Sequence, residues 1–262
     1  SLWATVSRKA AMATVALMLS AMLAGCLDSS GETLSVEVTY ESTSATIVER
    51  WVDGELVEAS YPVLMFDFNR SVTTGEFIQF SVIGEHAVGS SPAAESTVVQ
   101  VEFRKHGLQE LTFAADVSGA NPSELDEALP TATVRIEKRI EWSESATNDP
   151  MPMPIDTRNE AGVEPASALV IESTVFNPDL IANIGGGRDV EVFWELIDST
   201  QVACQSQPGT VSEGESATWK TLDFDTSDAH ELRVNYEEGQ DAIEVEQVAS
   251  IQYEHLETSP AL

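Results

Sequence analysis

Lysine is scarce in this chain. It occurs only at Lys9, Lys105, Lys138 and Lys220, and with the arginines it makes 13 cations against 44 acids, a formal net charge of -31. A surface of that sign repels nucleic acid and anionic lipid headgroups, which argues against both as partners. Cysteine is scarcer still: Cys26 and Cys204 are too few for a disulfide framework. There are four histidines, His86, His106, His230 and His255. No two have the i, i+4 spacing of metal ligands on a helix, so a zinc or catalytic histidine site has no support. His106, next to Gly107, reads as a turn residue. Gly89-Ser90-Ser91 is not the Gly-x-Ser-x-Gly of a nucleophile elbow. "IGGGRD" (184–189) has the glycines of a phosphate loop without the Lys-Ser/Thr that must follow. No acid–base or nucleophile constellation emerges, and the expectation is a protein that is not an enzyme.

What is present is period-2 patterning. Hydrophobic residues make up 42% of the chain, enough for a packed core despite the acidity. Leu34, Val36, Val38 and Tyr40 alternate with polar residues, and Ala132, Val134, Ile136, Ile140 and Trp142 point one way, broken only by Lys138. Strands are predicted near 62–68, 76–83, 97–104, 109–117, 131–142, 190–197, 200–205, 216–224, 230–237 and 242–253. Asp53-Gly54 sits between two such runs and predicts a type I′ hairpin, whose central residues both need positive φ. "NPSELDEAL" (121–129) predicts one short turn of helix. Residues 143–166, rich in Pro, Ser and acids, read as an interdomain linker. One buried and one wet face per strand implies antiparallel sheets. The predicted class is all-β, with two immunoglobulin-like antiparallel β-sandwich domains at 34–142 and 167–256 and a tail at 257–262.

Two resemblances refine this. Arg8 and Lys9 precede an uncharged run from Ala10 to Leu23, and Leu23-Ala24-Gly25-Cys26 follows. The basic, apolar and small-residue regions in that order make a signal segment, and the last four residues resemble the lipobox of prokaryotic lipoproteins. The resemblance implies removal of residues 1–25, lipidation of the Cys26 thiol and a polar tether at 27–33. It makes the membrane a partner through a lipid anchor, outside the cytoplasmic membrane. An uncleaved anchor helix over Ala10–Leu27, or a plain secretory signal with an incidental cysteine, remain alternative readings of the same residues. Beyond residue 25 the chain carries 11 basic and 44 acidic residues, a charge of -33, which suits a saline exterior and a halophilic source. In 62–140, "VLMFDFNRS" (63–71), "VQVEFRKHGLQELTFAADVSGA" (99–120) and "ATVRIEKRI" (132–140) resemble, in order, the opening, middle and closing strands of a PKD domain. At the place of that family's Trp-Asp-Phe-Gly-Asp-Gly hallmark stands "SVIGEHAVG" (81–89), which keeps only Gly84. The resemblance implies a surface module that spaces or binds.

The aspartates of "DFDTSD" (223–228) are the one metal candidate. Asp223, Asp225 and Asp228 could supply carboxylate oxygens to calcium, which takes six to eight, though the loop glycine and terminal Glu of an EF-hand are missing. In so acidic a chain a solvated turn is the simpler reading. Asn69-Arg70-Ser71 is a glycosylation sequon. Trp51, Trp142 and Trp194 fall on apolar strand faces and are expected in the core, and Cys204, within Val202-Ala203-Cys204, is expected to be a buried thiol. The functional expectation is a lipid-anchored envelope protein that engages an unknown surface protein or glycan. The alternative is an accessory module that binds carbohydrate or calcium.

Overall fold

The computed structural model describes residues 34–118, 129–162, 164–179, 188–237 and 240–254. The signal segment, Cys26, the tether, the predicted helix at 121–129 apart from Leu129, and the tail lie outside these residues. Every regular element among them is a strand. In the first half these are β1 (Leu34–Ser35), β2 (Ser44–Val52), β3 (Glu55–Ser60), β4 (Val63–Asp67), β5 (Val72–Thr73), β6 (Phe77–Gly84), β7 (Val88–Pro92), β8 (Val98–Glu102), β9 (Gly107–Val117) and β10 (Thr131–Thr147). The second half adds β11 (Met153–Asp156), β12 (Ala166–Phe176), β13 (Val190–Ile197), β14 (Ala203–Val211), β15 (Ser216–Thr226), β16 (Ala229–Tyr236) and β17 (Ile243–Gln252).

A single nine-stranded sheet runs through both halves. Its backbone is β10, 17 residues long. The first part of β10 pairs with β9 and the second part with β17, both antiparallel. On its other edge β10 pairs with β2 over Arg135–Ser143. Two smaller sheets cover one face of this long sheet. The β4–β8 pair closes the first sandwich, and the four strands β11-β16-β13-β14 close the second.

Alternation explains why one face is chosen. Ala132, Val134 and Ile136 enter the first core, with Phe66, Phe68 and Phe113, and Ile140 and Trp142 enter the second, with Trp194, Leu169 and Ile251. All five share one parity in β10, so both cores sit on the same side of the sheet. Each fully buried aliphatic or aromatic side chain stabilises by about 1.5–3 kcal/mol relative to exposure. Trp142 and Trp194 are buried as expected, Trp51 packs against the second core, and Trp219 is buried as well.

The structure departs from the sequence reading in several places. Ser143–Thr147 complete β10, and Met153–Asp156 form β11, so much of the stretch read as linker is ordered sheet. The run Met-Pro-Met-Pro-Ile hid its period: Met153 and Ile155 are buried while Pro154 points outward. Proline is tolerated because β11 is an edge strand, where no ladder donor is missed. The β2–β10 pair is parallel, against the expectation of purely antiparallel sheets. Cys204 is exposed, not a core thiol. The Asp53-Gly54 turn is as predicted, with φ of 48° and 78°.

Because β10 belongs to both cores, the two halves should unfold together. Phe113→Ala in the first core and Trp194→Ala in the second should each cost about 3–5 kcal/mol. Each should shift one common transition in urea, followed by tryptophan fluorescence and circular dichroism. Two separated transitions, each sensitive to one substitution, would show that the sandwiches fold independently.

Candidate functional site

Lys138 is where β10 changes neighbours. The β9 register ends at Ile136 opposite Gly107, and the β17 register begins at Lys138 opposite Ile251. By alternation Lys138 must point to the core side, and there it meets Glu49 of β2. Its Nζ lies 2.9 Å from Glu49 Oε1, with the two side chains 15% and 18% exposed. A charge half withdrawn from water is costly unless paired, and this pair occupies the seam where neither apolar core reaches.

The gap between the end of β17 and the start of β9 is closed by two side chains. His106 Nδ1 and the Tyr253 hydroxyl are 2.7 Å apart, both groups buried. His106 was read from sequence as a turn residue; it is instead a fully buried member of the seam. Arg135 Nη1 donates to the Tyr253 carbonyl at 3.4 Å. His106 Nε2 has no hydrogen-bond partner, and Glu160 Oε2 stands 3.9 Å away. Gly107 follows with φ of 127°, and a Cβ there would fall 1.9 Å from Asn159 Oδ1. Only glycine lets the 157–162 loop of the second half lie this close to β9.

Beside the seam opens a cleft of about 380 Å³, whose walls include Trp51, Glu49, Lys138, Asp156, Asp198 and Glu231. Trp51 stacks on Trp142 with ring centroids 5.9 Å apart. Three carboxylates here are tied to neighbours, while His230, which also lines the cleft, has a buried Nδ1 without a hydrogen-bond partner. Asp156 accepts from Arg158 Nε at 2.8 Å, and that bond holds its carboxyl below the usual range. Glu231 accepts from Arg233 Nε at 3.0 Å. Asp198 accepts from the Thr200 hydroxyl at 2.7 Å, the main reason its pKa is lowered. Asp156 and Asp198 are held ionised by their neighbours, the reverse of what a general acid near neutrality needs. A broader hollow of about 680 Å³ lies on the outer face of the small sheet, around Phe193, Pro208 and Asn235.

The aspartates of the predicted calcium loop are not brought together as a site. Asp223 and Asp225 belong to β15, not to a free loop. Asp228 spends its carboxylate on the Ser199 hydroxyl at 2.9 Å and the Ala229 N–H at 2.8 Å. Among the described residues no group of three or more His, Cys, Asp or Glu side chains could hold a metal ion. Asn69 is exposed in the turn after β4, but the sequon hydroxyl, Ser71 Oγ, donates to the Glu37 carbonyl at 3.0 Å. The Cys204 thiol is pushed up by partial burial and then by Asp198, Asp223 and Asp228, which suppresses its reactivity.

No family model and no curated protein matches this sequence. Comparison with solved structures finds a two-domain protein of unknown function from Bacteroides fragilis at 8% identity and a TM-score of 0.26, covering 84% of this chain and 94% of that one. A Bacteroides uniformis β-glucuronidase aligns at 8% identity and a TM-score of 0.28, over 84% of this chain and 30% of the enzyme. The structure of infectious bursal disease virus, Gx strain, aligns at 8% identity and a TM-score of 0.27, over 88% and 75%. Likenesses this distant assign no activity, and the all-β description rests on the chain's own strands.

The seam makes stability depend on acid. Burial is the main cause that lowers the His106 pKa, with Lys138 adding to it and Glu160, Asp156 and Glu49 opposing. The unfolded chain therefore takes up the proton first, near pH 6.5. Stability should be fully present above that pH and fall as pH drops from about 6.5 toward the lowered folded value. His106→Gln should flatten this slope between about pH 7 and 5.5, read by urea midpoints at each pH. An unchanged slope would remove His106 as its origin.

The arrangement of Asp223, Asp225 and Asp228 predicts no calcium-specific effect. Calcium chloride and sodium chloride of equal ionic strength should raise Tm equally by screening. A calcium excess that disappears in Asp225→Asn would restore the metal site.

Proposed function

We propose that the protein is a lipid-anchored component of the cell envelope, outside the cytoplasmic membrane, that works as a stiff interaction module without catalysis. The observation that carries this is β10. A single strand that serves both cores, with β2 alongside it, leaves no flexible joint between the sandwiches. Such a body suits holding a binding surface at a fixed distance from a membrane, whereas an enzyme of two lobes usually uses a hinge or a cleft with free titratable groups.

Two sequence features support the location. The lipobox-like Leu23-Ala24-Gly25-Cys26 supplies the anchor, and a charge of -33 beyond residue 25 suits a saline exterior. Self-repulsion at that charge keeps such molecules apart on a crowded surface. The PKD-like order of strands in 62–140 fits a spacing or binding role for the first sandwich, and a surface protein or a glycan is the class of partner in view.

The anchor is testable directly. Cys26→Ser should move the protein from the membrane fraction to the soluble fraction, and intact mass should lose the lipid. One acyl-bearing group gives only marginal anchoring, so the comparison is of the two proteins side by side. Wild-type protein without lipid mass, or a mature start well before Cys26, would overturn the anchor.

A further inference from the structure

The outer face of the long sheet, opposite both cores, carries an apolar strip in the second half. Phe224 is 66% and Leu222 47% exposed. They lie two residues apart in β15, on one face, about 7 Å from each other along the strand. The register sets Ala168 beside Phe224 and Val170 beside Leu222, and Val248 of β17 lies on the same face. Among the described residues no strand or sheet is paired or packed on this side, since the β4–β8 and β11-β16-β13-β14 sheets pack on the other. Single exposed apolar residues are ordinary, but a contiguous strip marks an interaction surface.

The surrounding charges say what fits it. The cations on this face are already held: Lys220 Nζ lies 2.9 Å from Glu172, and Arg139 Nε lies 2.8 Å from Glu141. Glu244, Glu246 and Glu254 share the even, outward parity of Val248 and have no ion pair among the described residues. The strip is therefore apolar in the middle and negative at its margins. A second copy of this chain would bring the same unpaired acids against it and is disfavoured by like charge. A strand added at the β15 edge is also disfavoured, because the Gln205 side chain already donates to the Leu222 carbonyl there at 2.6 Å. An open sheet face is the surface that an amphipathic helix covers in layered folds.

We propose that this face docks a basic amphipathic helix of a partner protein, its apolar stripe on Phe224 and Leu222 and its flanking Lys and Arg on Glu244, Glu246 and Glu254. The assignment rests on the interaction role above and gives it a partner chemistry.

The probe is a fluorescent helical peptide of about 18 Leu and Lys residues, with Leu at i, i+3, i+4 spacing. A scrambled peptide of the same composition keeps the charge without the stripe. Titrated with the full chain in 0.15 M salt, the striped peptide should bind at least about tenfold more tightly than the scrambled one. Leu222→Ser with Phe224→Ser leaves the net charge unchanged and should erase that preference, while the weak scrambled binding persists. Should the double variant lose its circular dichroism signature, Phe224→Lys alone serves the same purpose. Glu246→Gln with Glu254→Gln should weaken the striped peptide and reduce its salt dependence. Equal binding of both peptides, or striped binding indifferent to Phe224, would reduce the effect to charge attraction and overturn the proposal. Membrane release in Cys26→Ser is read separately, so loss of the anchor with peptide binding retained overturns only the location.

Discussion

The structure depends on one strand being shared. β10 gives its first apolar residues to one core and its last to the other, and every other strand of the long sheet is placed relative to it. Sharing creates a problem at the crossing point. Between Ile136 and Ile140 the strand leaves one packed interior before it enters the next, and an apolar side chain at position 138 would have no interior to join. The Lys138–Glu49 pair solves this with a charge partly in contact with water. His106 and Tyr253 then close the gap between the two antiparallel neighbours. Such polar seams are weak sources of stability, but they fix which residue stands opposite which. A one-residue slip of β10 would carry Lys138 to the outer face and its neighbours Glu137 or Arg139 into the cores.

The same pairing shapes the cleft at the seam. Two of its carboxylates are held in the ionised form, Asp156 by Arg158 and Asp198 by Thr200. His230, whose Nδ1 has no hydrogen-bond partner, lines the same cleft. The apolar strip on the outer face has the opposite character. It contributes nothing visible to either core, and its aromatic side chain is left in water.

The strands were legible wherever one face was wet. β6, β9, β10, β13, β16 and β17 lie where alternation put them. The break at Lys138 was also visible, but only pairing could show that it marks a hand-over between cores. β12 escaped notice because both its faces carry apolar or small residues, as expected for a central strand with Val170 and Ala168 outward and Leu169 and Ile171 inward. β11 was hidden by its prolines. His106 could not have been found locally: a His-Gly step looks like a turn, and its burial comes from Tyr253, distant in sequence. The aspartates of 223–228, close in sequence, take separate duties in a strand and a turn.

The parallel alignment of β2 with β10 has a temporal consequence. Antiparallel neighbours can zip from a hairpin, but β2 must wait for a partner that arrives long after it in the chain. Closing so large a loop is entropically expensive and slow. Until β10 is made, β2 and β3 form a lone hairpin with an open edge, the kind of surface that invites pairing with another molecule. A chain still being synthesised would meet this interval before β10 emerges. Its dense negative charge would then act as a chaperone of its own, keeping half-made sheets from finding each other before β10 completes them.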